Sequence, residues 1–167
     1  VHSAAVPESR VLMRHWLMKT EPSTFGIDDL VRAPRRTTSW EGVRNFQARN
    51  MLRDDFHRGD LAFLYHSSCP EPGIAGIVEV VRAGYPDASA WDRSSGHYDA
   101  KSPENKPLWY TVDVRLKQRF DAVLPLETLR EHAERELDGM LLLRRGNRLS
   151  VTPVESAHWR FILSLIP

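Results

Sequence analysis

"GDLAFLYHSSCPEPGIAGIVEVVRAG", residues 59–84, holds two nearly continuous apolar runs separated by a polar, proline-containing break. Gly59-Asp60 reads as a turn into the first run, Leu61 to Tyr65. A run without polar alternation is the pattern of a strand covered on both faces, so this strand is expected to be central. The second run, Gly73 to Val81, carries glycines that suggest bulges or a close neighbour. Two buried neighbouring strands put a sheet at the centre of the molecule.

The other segments arrange themselves around that pair. "HWLMKT" (15–20) is a short apolar strand, and "TFGIDDLVRA" (24–33) a short helix with Thr24 as N-cap, ended by Pro34. A loop leads to "WEGVRNFQARNMLRDD", where Gly42 opens a helix with Val43, Phe46, Asn50 and Met51 on one face and Arg49 and Arg53 on another. "LWYTVDVRLKQRF" alternates, with Tyr110, Val112, Val114 and Leu116 opposite Trp109, Thr111, Asp113 and Arg115. Residues 85–107 form a long polar loop, a length that in a compact domain signals function or disorder. "PLETLREHAEREL" (125–137) reads as helix. "MLLLRRGNRLSVTPV" reads as a short helix stopped at Gly146, then an edge strand tolerant of Pro153. Thr152 and Glu155 have capping-box spacing before a last helix. Strands and short helices without a βαβ rhythm predict an α+β fold around a curved mixed sheet or small barrel flanked by short helices.

The chain has 167 residues, 41% apolar and 27% charged, which fits one globular domain. Residues 1–12 are expected to be a disordered extension before a single domain over 13–167. The net charge of +1 supplies no global field for DNA or anionic lipid, so any nucleic-acid affinity must come from a local patch. One cysteine, Cys69, rules out an internal disulfide and a multi-cysteine zinc site, and suits a reducing cytoplasm. No run approaches the roughly 20 apolar residues of a membrane span, and the start lacks the apolar core of a signal peptide.

Catalytic signatures are weak. There is no phosphate-cradling glycine loop, nucleophile elbow or HExxH, and the histidines show no metal-ligand spacing. His66 and Cys69 lie three apart, whereas thiol–imidazole pairs come from separate parts of a chain. Aromatics beside polar groups are the better lead: Trp40 at a loop-to-helix junction, Tyr65 before His66-Ser67-Ser68, and Trp91, Tyr98 and Trp109 in or beside the long loop. Arg44, Lys101 and Arg148 accompany Asn45, Ser102, Asn147 and Ser150, a mixture suited to phosphate and base edges. Flat faces with guanidinium groups are how an unpaired or extruded base is held.

The segments "HWLMKTEPSTFGIDDL", "TSWEGVRNFQARNMLR", "GDLAFLYHSSCPEPGIAGIVEVV", "AGYPDASAWD", "YDAKS" and "LLLRRGNRLSVTPV" occur in the order seen in EVE-domain proteins, the thymocyte nuclear protein family, which this chain resembles from about Trp16 to Ile166. The resemblance implies a PUA-like fold, akin to YTH and ASCH modules. It also implies a non-catalytic module, without cofactor or metal, that recognises a modified base in an aromatic-lined pocket. The partner it implies is DNA carrying a modified cytosine, with RNA or a nucleotide as further candidates. Carried onto this chain, the base-binding set is Trp40, Arg44, Asn45, Tyr65, His66, Ser67, Ser68, Tyr98, Leu149 and Ser150. The phosphate-holding rim is Lys19, Lys101, Ser102, Arg145, Asn147 and Arg148. Ser68 stands where many relatives have asparagine, and His97 where a tyrosine is frequent. Two alternatives stand beside this reading: an enzyme acting on a modified nucleotide with His66 as acid–base, and a scaffold that docks a protein through an aromatic patch.

Overall fold

The computed structural model describes residues 14–167, so the expected extension over 1–12 and a fold start near Met13 lie outside the described residues. Six strands form one sheet: β1 (His15–Thr20), β2 (Thr37–Ser39), β3 (Leu61–His66), β4 (Gly73–Pro86), β5 (Tyr110–Pro125) and β6 (Val151–Val154). Their order is β2-β5-β4-β3-β1-β6. Only β1 and β3 pair in parallel, Leu17 beside Phe63 and Lys19 beside Tyr65, so the sheet is mixed and the α+β class holds. The short helices α1 (Ile27–Arg32), α2 (Phe46–Asn50), α3 (Leu126–Arg130) and α4 (Ser156–Ser164) flank it. Among the described residues, no helix is long and apolar enough to cross a membrane.

The apolar runs behave as their lack of alternation requires. Trp16, Met18, Ala62 and Leu64 enter one core cluster, while Leu17, Phe63 and Tyr65 enter another, so successive residues of β1 and β3 serve opposite faces. In β4, Ile74 and Ile77 face one cluster and Ala75 and Val78 the other. That odd spacing breaks a strict period of two, and the β4–β5 ladder shifts register between Ile74 and Gly76 and again between Ile77 and Val78. Bulges of this kind bend a strand and increase its twist. The glycines carry the close neighbour expected of them: a Cβ on Gly73 or Gly76 would run into the backbone carbonyl of Leu124 or Gln118 on β5.

Several local expectations change. Gly26, not Thr24, precedes α1, because the Asp29 carboxylate accepts from the Gly26 N–H at 2.8 Å and closes the first turn there. The loop before Trp40 contains β2, whose three residues pair with β5. The helix after it starts at Phe46, and its buried residues are Ala48 and, in the π-helical turn Met51–Asp55, Leu52; Phe46 faces outward. Trp109 and Thr111 of the expected polar face are buried. The 125–137 helix spans only Leu126–Arg130 before a series of turns. Thr152 is paired inside β6 and caps nothing, so α4 begins without a side-chain cap. Pro153 does sit on an edge strand, as expected.

Candidate nucleic-acid interface

β2 is one edge of the sheet and β1 lies next to the other, yet Thr38 and Ser39 line the same cleft as Lys19 and Thr20. The sheet therefore curls until its two ends face each other, and the gap between them is an open cleft of about 570 Å³. Its third side is the turn carrying Glu21, Thr24 and Phe25, held shut by the Thr20 hydroxyl donating to the Phe25 carbonyl at 2.6 Å. Its fourth is the corner Trp40–Arg44, with His97 from the long loop above it. Ser150, whose carbonyl accepts from the Lys19 N–H at 2.8 Å, completes the lining.

Trp40 is anchored twice, by its N–H donating to Val112 O at 2.8 Å and by a side chain packed into the core that also walls the cleft. Gly42 has φ +87°, a left-handed value suited to glycine, and the His97 ring occupies the space a side chain there would need. The corner is locked by Asp87, whose fully buried carboxylate accepts from Gly42 N–H (2.9 Å), Arg44 Nη1 (3.0 Å) and the Ser89 backbone and hydroxyl. Arg44 gives its other donors to Val43 O, Ser89 Oγ and His97 O. Burial pushes the Asp87 carboxyl up, but these donors outweigh it and hold it below the usual carboxylate range. The long loop is thus ordered and tied down: Asp99 accepts from Trp109 Nε1 at 2.7 Å, and its N–H donates to Ala90 O.

The cleft gathers Trp40, Arg44, Lys19 and Ser150 of the residues expected from sequence. Asn45 is next to it, but its Oδ1 caps α2 by accepting from Ala48 N–H at 3.0 Å. Tyr65 points to the opposite face of the sheet, into the cluster around Leu17 and Phe63. His66 is buried away from the cleft lining, and its Nε2 accepts from Ile27 N–H at 3.1 Å; burial lowers its pKa, so it is held as a neutral acceptor. The expected acid–base therefore has no free lone pair there. Ser67 bonds Thr20 O, and Ser68 turns the chain at φ +51°. Tyr98 is exposed outside the lining, and Trp91 is also outside it. Lys101, Arg145 and Arg148 are exposed, Ser102 is buried as acceptor for Leu108 N–H, and Asn147 stitches its own turn through Leu141 O and Leu149 N–H. Leu149 is half-buried beside Ser150 without lining the cleft.

Sequence reasoning missed Thr20, Glu21, Thr24, Phe25, Thr38, Ser39, Glu41, Gly42, Val43 and His97 as lining. Gly42 beside Trp40 was the one local signal for a tight corner; Phe25 and His97 arrive from distant segments. Lys19 is half-buried with no hydrogen-bond or ion-pair partner for its ammonium among the described residues, and burial lowers its pKa. No group of histidine, cysteine and acidic residues among the described residues is placed to hold a metal ion.

A curled mixed sheet with flanking short helices, its open seam lined by aromatic residues, hydroxyl residues and a lone ammonium, makes this an α+β domain with one open cleft at the sheet's seam. The chain belongs to the EVE domain family, whose model matches residues 14–165. Thymocyte nuclear protein 1 of Gallus gallus is 41% identical over 173 residues, 95% of this chain and 71% of the relative. A crystal structure of a Pseudomonas putida protein is similar at 46% identity and TM-score 0.85, covering 90% of this chain and 98% of that one. The crystal structure of human THYN1 protein in complex with 5-methylcytosine-containing DNA is similar at 40% identity and TM-score 0.86, covering 91% of this chain and 96% of that one.

Proposed function

We propose that this protein is a non-catalytic reader of modified cytosine in DNA, taking the extruded base into the cleft between β2 and β1. The observation that carries the reading is the cleft itself, whose lining brings Trp40, Phe25 and His97 together. A base lifted from a duplex needs flat faces on both sides and polar groups at its rim. Hydroxyls of Thr38 and Ser150 are there to meet a base edge, while Ser39 Oγ is taken up by the Tyr85 and Thr111 hydroxyls. The human relative bound to 5-methylcytosine DNA supports the choice of ligand. Phe25 and His97 share the lining with Trp40, whereas Tyr98 and Trp91 lie outside it.

The Lys19 ammonium, free of carboxylates among the described residues, supplies the positive charge nearest the base. Arg145, Arg148 and Lys101 hold flanking phosphates, while Arg44 is occupied in fixing the corner. RNA and free nucleotides, which carry the same kind of base, are competing ligands for the same cleft. A single unpaired cysteine, Cys69, suits work in a reducing compartment, which we assign to the cytoplasm.

The test is a fluorescence-anisotropy titration of one duplex sequence carrying cytosine, 5-methylcytosine or 5-hydroxymethylcytosine at a single site. The protein is expected to bind a modified duplex about tenfold more tightly than the unmodified one, a difference of about 1.4 kcal/mol. Equal affinity for all three would remove modified-base reading as the function.

A further inference from the structure

Beside the cleft lies a second aromatic feature that the base-holding role does not use. Phe46 opens α2 and is 54% exposed, although it is a large apolar side chain. A single exposed apolar residue is ordinary on a protein surface. This one, however, is held rigidly: its ring stacks on Trp109 with centroids 4.8 Å apart and planes 21° from parallel. The Arg49 guanidinium sits 4.9 Å from the Phe46 ring and the Arg44 guanidinium 5.3 Å from the Trp109 ring. Both arginines are themselves fastened, Arg49 to Leu108 O at 2.6 Å and Arg44 to His97 O at 2.7 Å. Because Arg44 also lines the cleft, the column is anchored at its mouth.

We propose that Phe46 is a stacking wedge for duplex DNA, its exposed ring inserting against the base pair that flanks the extruded base. The inference rests on the nucleic-acid reading above. Apolar wedges inserted at base steps hold an unstacked duplex open, and the cost of unstacking is offset because the bent duplex lies against more of the protein surface. A preformed ring column loses little side-chain freedom on insertion, and the Arg49 guanidinium beside the Phe46 ring suits a phosphate that borders such a step. Phe46 acts on the duplex, and the cleft acts on the base.

That division gives a test that separates the two. Affinities are measured for the same modified base in a duplex and in a single strand, with the parent, Phe46→Ala and Phe46→Trp. Phe46 is exposed, and a thermal melt of each variant confirms that it folds. Phe46→Ala is expected to weaken duplex binding about tenfold, within the range for losing one stacked base, and single-strand binding less than about twofold, with Phe46→Trp restoring duplex binding. Unchanged duplex affinity in Phe46→Ala, or equal losses on both strands, overturns the wedge. Loss of modified-base preference by the parent on both forms would instead overturn the reading of the cleft.

Discussion

Asp87→Ala is expected to lower the free energy of unfolding by about 3–5 kcal/mol, the range for removing one partner of a buried ion pair. The carboxylate has no exposed surface and accepts from Gly42, Arg44 and Ser89, so its loss leaves two backbone N–H groups and a hydroxyl without an acceptor and the Arg44 guanidinium without its counter-charge. Those groups belong to the Trp40–Asn45 corner and to the start of the long loop. The substitution therefore loosens the cleft wall as well as the fold. Asp87→Asn keeps the shape and removes the charge, and its deficit should depend on pH. The native carboxyl titrates below its unfolded value, so the stabilisation is complete above about pH 4 and fades as the pH falls through the folded value. Urea unfolding of parent and Asp87→Asn from pH 7 to pH 3 should show curves that differ at neutral pH and converge in acid. A deficit below 1 kcal/mol for Asp87→Ala, or one that grows in acid for Asp87→Asn, would contradict the account of the corner.

The second large effect concerns Trp40, which is both core and wall. It is only 7% exposed and packs among Trp16, Val43 and Val112. Trp40→Ala is expected to cost about 3–5 kcal/mol in stability, as large aromatic truncations in cores do. Stability alone then confounds any loss of binding, so Trp40→Leu is the informative variant. Leucine retains apolar filling but offers no flat face. If a base stacks there, Trp40→Leu weakens modified-duplex binding roughly 5- to 150-fold, corresponding to about 1–3 kcal/mol per stacked base. Full affinity in a folded Trp40→Leu protein would mean that the base does not lie on this ring.

What could be read in the sequence was whatever is local and repeated. β1, β3 and β4 declare themselves because their stretches buried on both faces, residues 16–18, 62–65 and 74–78, carry no polar side chain inside the core, and Gly73 and Gly76 mark the crowded bends. β2 escaped because Thr37–Ser39 is too short to show a period and gains its structure from pairing with β5. Among the site residues, adjacency in sequence misled where a strand intervenes. Leu64 and Tyr65 are neighbours, yet they belong to opposite faces, and nothing in the alternation says which face carries the cleft. Asn45 illustrates a different failure: its taste for helix N-caps was available as a signal, and the cap takes the acceptor assigned to a base edge. Phe25 and His97 were beyond reach, since only the curl of the sheet and the tie from Arg44 to the long loop bring them to Trp40.

The most direct measurement of the central claim is a crystal structure of this protein with a duplex carrying one 5-methylcytosine. The predicted result is that base extruded into the cleft between β2 and β1, its ring on Trp40, with Lys19 on the same side and Phe46 at the vacated step. A base that stays paired in the duplex, or that lies against another face while the cleft holds none of the DNA, would contradict it.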